Sequence, residues 1–348
     1  MNQSANLDLL RSFAVVMVFA SHCTYYVLRS HLLESTAIGQ MGVLIFFIHT
    51  SMVLMMSLER LHQDGSAATP RFYLRRAFRI YPLSVVTVLV CLLTRIPSAF
   101  DAYRWLGYPT IAANLLLINN FGFTPVSVSL WSLPWEVQMY LILPLCYAAT
   151  RSVRSYRGFA IIIAVGFISW YLGSKTASRL GSVNLLQFAP WFAMGVSAYC
   201  SSRFIGRTWS QKGYVCCLIL LAVSPFIILI SIKSYRGGWA QWAVGVVFVS
   251  LLPRFREIES GIARKAAHLI ARYSYGIYLS HMPILWFSFQ YMVDAPLASR
   301  VATAAALSFA VPVMLYHFIE KPMIHLGARI SDKMAETAPA LALPATAQ

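Results

Sequence analysis

Ten apolar runs of spanning or near-spanning length follow one another along this chain. They lie at approximately 7–28, 39–58, 79–95, 130–149, 158–173, 183–201, 213–232, 238–252, 273–292 and 299–319. A bilayer core takes about 20 apolar residues per helix, so the shorter runs leave boundaries loose by several residues. Charged residues make up 11% of the chain and hydrophobic residues 58%. A soluble domain carries about 25% charged residues. The sequence therefore predicts an all-α integral membrane protein, a multi-pass bundle of about ten transmembrane helices in contact with the lipid bilayer.

The net charge of +16 raises the question of nucleic acid. Its distribution answers it, because the basic residues sit in the loops, where they set orientation. With ten spans and both termini cytoplasmic, 19 Lys and Arg lie inside and 8 outside, with Arg11 inside a span. An eleventh candidate, 110–120, ends in Asn119-Asn120. If it crossed, the count would become 10 inside against 17 outside, against the positive-inside rule. Residues 110–120 are expected to form a re-entrant or surface segment of a long external loop, with protein shielding the backbone. Residues 1–328 read as one membrane domain, and 329–348, rich in Ala, Pro and Thr, as a disordered cytoplasmic tail. The N-terminus lacks a basic leader region and is expected to be retained as the first span. The six cysteines have no zinc spacing, and no metal site is expected.

Ionisable side chains inside spans are costly, roughly 2.5–3.5 kcal/mol for an Arg near a helix centre, and so mark chemistry or a tight partner. The first span carries Arg11 and His22. Eleven residues is close to three turns, which puts both on nearly one face, about 16 Å apart. Asp8, one turn before Arg11, is placed to pair with it. Ahead of the third span, Arg75, Arg76 and Arg79 would cluster if a helix starts there, and guanidinium forks suit phosphates. The plainer alternative is an ordinary basic loop. At the outer start of the fourth span, Trp131 to Tyr140 brings Glu136, Gln138 and Tyr140 into an apolar setting, where a carboxylate needs a partner. The ninth span holds His281 just before Pro283 and reads as pocket-lining or structural. His49, in the second span, is buried by position.

Together these segments resemble the bacterial membrane-bound acyltransferase-3 family, from residue 7 to about 322. Leu7-Asp8-Leu9-Leu10-Arg11 with His22 is similar to its opening motif, and Arg76-Ala77-Phe78-Arg79-Ile80-Tyr81-Pro82 to its paired-arginine motif. Ser132 to Tyr140, Tyr278 to Pro283 and Glu320-Lys321-Pro322 are similar to its later elements. The chain departs from the pattern in the second span, where Leu44 stands at an acidic position and Ile48-His49-Thr50-Ser51 follows Phe46-Phe47.

The resemblance implies a bacterial inner-membrane enzyme that moves an acyl group, acetyl from acetyl-CoA above all, to a sugar hydroxyl of a surface polysaccharide. It implies acyl-CoA as donor substrate with no permanent cofactor, a glycan acceptor, and polysaccharide biosynthesis or export machinery as a partner. Arg11, Arg75, Arg76 and Arg79 would bind acyl-CoA. His22 would act as general base or acyl carrier, with Glu136 orienting its ring. Asp8, His49, Gln138, Tyr140 and His281 would line the pocket. A transporter or flippase with the same polar residues along its path is the main alternative, and a scaffold of a polysaccharide export complex is a third.

Overall fold

In an apolar medium a backbone keeps its polar groups satisfied most simply as helix, and each of the ten apolar runs carries a helix. The computed structural model describes residues 4–28, 33–64, 67–96, 107–180, 185–232, 239–259 and 261–337. Its helices are α1 (Ala5–Leu28), α2 (Leu33–Gln63), α3 (Ala68–Thr94), α4 (Tyr108–Leu115), α5 (Leu133–Thr150) and α6 (Tyr156–Leu180). They continue with α7 (Ala189–Ser202), α8 (Gln211–Ile232), α9 (Trp239–Leu251), α10 (Gly261–Trp286), α11 (Leu297–Leu315) and α12 (Lys321–Thr337). The protein is an all-α, multi-pass membrane protein. Among the described residues, 6 helical segments are long and apolar enough to cross a membrane, those of α1, α2, α3, α6, α8 and the continuous α11–α12 stretch. The expected count of ten is coarsened to this. Helices α7 and α9 have 14 and 13 residues, about 20 Å each, which falls short of a bilayer core of about 30 Å.

Helix α1 packs between α2 and α10, and α7 packs against the other side of α2. Small residues make these approaches possible. A Cβ at Gly42 of α2 would stand 2.8 Å from the Ala14 carbonyl oxygen of α1. Gly195 of α7 lies against the Ile48 carbonyl in the same way. The core between them is aliphatic and aromatic, with Leu10, Ala14, Leu44, Phe47, Met55 and Phe192 buried.

Segment 110–120 does not form a span-length helix. Helix α4 has 8 residues, about 12 Å. The chain then turns at Leu117 and Gly122, both with positive φ, and passes a 3-10 turn at 128–131 into α5. Asn114 holds this loop together. Its Nδ2 donates to the carbonyls of Thr110 (2.8 Å) and Thr124 (2.9 Å), and its Oδ1 accepts from the Val126 N–H (3.0 Å).

Helix α11 runs through a π turn at 316–320 into α12. Residues 329–337, assigned by composition to a disordered tail, are the last turns of α12. The reason is docking on α3: Ser331 accepts from Arg71 and Arg75, Asp332 pairs with Arg75 at 2.7 Å, and Gly327 packs on Phe78. Residues 338–348 of that tail lie outside the described residues.

Candidate active site

The arginine segment before the third apolar run is not a loop but the first turns of α3. A helix advances 100° per residue, so adjacent arginines part company. Arg71 and Arg75, one turn apart, face α12 and bond Ser331 and Asp332. Arg76 and Arg79 face the bundle interior and line a cavity of about 50 Å³. The expected cluster of three is therefore split, and Arg75 is engaged outside the cavity.

Arg11 of α1, His49 and Thr50 of α2, Glu136 and Tyr140 of α5 and Tyr275 of α10 complete that cavity. Arg11 donates from Nε to the Ser274 hydroxyl at 2.5 Å. Glu136 accepts from the Tyr140 hydroxyl, one turn further along α5, and from Thr50 at 3.5 Å. Its charge stands in the fields of Arg11 and Arg76. Arg79 is paired with Glu320, which the π turn between α11 and α12 buries completely. Three guanidiniums thus meet two carboxylates, leaving one positive charge in surplus. Nε of Arg76 has no hydrogen-bond partner among the described residues. Such a group is an open donor for an anion.

A second cavity of about 50 Å³ continues from the first, and Arg11, Thr50, Glu136 and Tyr275 line both. Its remaining walls are mostly apolar, with Phe46, Phe47, Leu133 and Tyr278, and Ser132 bonded to the Tyr278 hydroxyl at 2.6 Å. The Tyr278 ring lies 5.9 Å from that of His281, which is 5.0 Å from that of His22. Arg11 and His22, expected on one face of α1, thus stand at the two ends of an interior track that passes through Tyr278 and His281 of α10.

Three expected neighbours are elsewhere. Asp8 pairs with His268 at 2.9 Å, not with Arg11, because α10 offers each its own partner. Gln138 donates to Asn120 of the loop after α4 at 3.1 Å. Glu136 bonds Thr50 and Tyr140, whereas the ring of His22 bonds the Val18 carbonyl and His281. The expected Glu136–His22 contact is absent, since Glu136 sits beside Arg11 and Arg11 lies three turns below His22. Thr50, Ser274, Tyr275, Tyr278 and Glu320 were not among the expected site residues. Ser274, Tyr278 and His281 recur at helical spacing on one face of α10, a period visible in the sequence. No cluster of three or more His, Cys, Asp or Glu able to hold a metal occurs among the described residues.

A family model described as an acyltransferase domain matches residues 4–317. Acyltransferase MdmB of Streptomyces mycarofaciens is 24% identical over 360 residues, covering 91% of this chain and 88% of that protein. O-acetyltransferase OatA of Staphylococcus aureus is 24% identical over 367 residues, covering 92% of this chain and 57% of its own length. Peptidoglycan O-acetyltransferase OatA of Listeria monocytogenes is 25% identical over 358 residues, at 91% and 55% coverage. The chain thus spans most of MdmB but little more than half of either OatA. No solved structure matches it.

Proposed function

Because this chain belongs to the acyltransferase family whose domain model covers residues 4–317, we propose that it transfers an acyl group, acetyl from acetyl-CoA in the simplest case, to a sugar hydroxyl of a cell-surface polysaccharide or related glycan. O-acetyltransferases among the relatives, one of them named for peptidoglycan, support the acceptor class. Membership in an acyltransferase family carries this reading above a transporter or an export scaffold.

The finer arrangement is part of the proposal. Ten crossings with both termini cytoplasmic agree with the basic-residue count, and each of the ten runs carries a helix. In that orientation Arg76 and Arg79 face the cytoplasmic donor, Arg11 stands deeper, and His22 lies toward the acceptor side. Residues 1–328 would act as the membrane domain.

The single observation behind the site is the interior cavity shared by Arg11, Arg76, Arg79 and Glu136. Its surplus positive charge suits a polyanionic acyl-CoA, since guanidinium forks match phosphate oxygens. Glu136 keeps Arg11 and Arg76 in place, a role different from orienting the imidazole. At the far end His22 takes the acceptor proton. The acceptor oxygen attacks the thioester carbonyl, the new C–O bond forms as the C–S bond breaks, and the proton passes from His22 to the CoA thiolate.

The decisive experiment compares surface glycans, by mass, from cells with and without the protein, alongside acetyl-CoA consumption by the purified protein in lipid nanodiscs. Loss of an acyl mass in the deletion, with acetyl-CoA turnover by the protein, is expected. Unchanged glycan masses and no acetyl-CoA turnover would overturn the proposal.

A further inference from the structure

Hydrogen-bond polarity around His22 and His281 constrains where each ring carries its proton. A carbonyl oxygen only accepts. Nδ1 of His281 is 2.7 Å from the Tyr278 carbonyl, so it carries a hydrogen. Nδ1 of His22 is 3.0 Å from the Val18 carbonyl, so it too carries a hydrogen. In a neutral imidazole the other nitrogen is then a bare acceptor. Nε2 of His281 is 3.1 Å from Nδ1 of His22. That contact needs one donor and one acceptor, and the two carbonyls, on different helices, have independently assigned one of each. The single His22 Nδ1–H is shared between the Val18 carbonyl and His281 Nε2, and His281 Nδ1–H donates to the Tyr278 carbonyl. A second proton on His281 would set two N–H groups against each other.

We propose that His281 is the positioning residue for His22, locking it in the Nδ1–H tautomer so that the bare Nε2 is the nitrogen that meets the acceptor hydroxyl. His22 is only partly buried, and its hydrogen bonds to Val18 and His281 both run through Nδ1, which leaves Nε2 for the acceptor. His281 is buried at 2% exposure, with Phe19 and Tyr278 against its ring, so its own orientation is fixed by packing. It fills the place a carboxylate takes in a triad, that of the third group that orients the base. When His22 Nε2 takes the acceptor proton, the Nδ1–H bond to the neutral His281 Nε2 strengthens and stabilises the His22 imidazolium. This role rests on the acyl-transfer reading for its chemistry, but not for its tautomer.

The test has two arms on the full-length protein in nanodiscs. The first is nitrogen NMR with ¹⁵N-histidine, using His22→Gln to identify the His22 signals. A protonated Nδ1 and a bare Nε2 are expected, and the opposite tautomer overturns the proposal. The second arm measures acyl transfer and acetyl-CoA affinity in His281→Ala and His281→Gln. His281→Ala is expected to lose about 10²–10⁴-fold in turnover, the range for a lost or misoriented base, with donor affinity unchanged. The carboxamide oxygen of His281→Gln accepts from His22 Nδ1–H and is expected to restore turnover to within about tenfold of wild type. Turnover in His281→Ala close to wild type, or equal loss in both variants, overturns it. Wild-type protein with the expected tautomer but no acyl transfer would defeat the acyl-transfer reading alone.

Discussion

The two ends of the interior track solve opposite electrostatic problems. At the guanidinium end, Arg11, Arg76 and Arg79 are kept charged inside an apolar bundle by Glu136 and Glu320. At the imidazole end, His22 and His281 meet with no carboxylate bonded to either ring among the described residues, and their contacts run to each other and to backbone carbonyls. A buried charge demands a counter-charge, whereas a neutral base demands only a defined lone pair. In the proposed reaction the first end holds the anionic donor and the second moves a proton. Substitutions should therefore separate into those that change donor affinity and those that change turnover.

The largest effect is expected at the imidazole end. His22→Ala should lower acyl transfer by about 10²–10⁴-fold, the usual contribution of a general base. Protein abundance and acetyl-CoA affinity should stay near wild type, checked by nanodisc yield and isothermal titration. A parallel collapse of donor affinity would break the separation of the two ends.

Next comes the Arg79–Glu320 pair. Glu320 has 1% exposure, so removing either partner strands the other, and breaking a buried pair costs about 3–5 kcal/mol. Arg79→Ala and Glu320→Gln should each reduce folded protein and weaken acetyl-CoA binding. The double variant should be less damaged than the sum, with a coupling of about 0.5–3 kcal/mol. Additive losses would show that Glu320 does not hold Arg79.

Smaller still is the contrast between neighbours Arg75 and Arg76. Arg76→Ala should weaken acetyl-CoA binding about tenfold, the worth of one charge-assisted hydrogen bond of about 1.4 kcal/mol. Arg75→Ala should leave affinity within about threefold and cost at most about 1 kcal/mol of stability, as its pair with Asp332 is largely solvated. Equal affinity losses would mean that the donor reaches both faces of α3.

That contrast also shows where sequence reasoning stops. Hydropathy located the ten apolar runs, helical periodicity aligned Arg11 with His22 on α1, and the family resemblance supplied Arg76, Arg79, Glu136 and His49 as site residues. None of these divided Arg75 from Arg76, because the partner that draws Arg75 away, Asp332, is more than 250 residues distant and lay in a stretch whose composition reads as tail. Asp8 was drawn toward Arg11 by spacing on α1, yet α10 supplies each with a closer partner. Glu136 and His22 were linked by chemical analogy alone, which carries no distance. Glu320 was visible as part of a motif, but its burial depends on the π turn at 316–320, which local propensity does not signal. Within-helix geometry was legible; choices among partners on different helices were not.

The smallest effect concerns the helix that carries both ends. At the start of α1, Glu257 accepts from the Ser4 hydroxyl (2.7 Å) and the Asn6 N–H (3.0 Å) and pairs with Arg207. Burial alone pushes its carboxyl up, but these donors outweigh burial and hold it below its ordinary value of 4.5. A carboxyl with a lowered folded value contributes stability that is complete above the unfolded value and is lost as pH falls through the folded one. Glu257→Gln should therefore destabilise the protein at pH 7 by about 1 kcal/mol or less, given its partial exposure. The wild-type advantage should shrink as pH falls below about 4.5 and vanish in stronger acid, followed by thermal unfolding in nanodiscs. Because α1 carries Arg11 and His22 together, any residual effect on activity should move donor affinity and turnover in the same direction. A variant that shifted only one would show that the N-terminal anchor positions one end independently of the other.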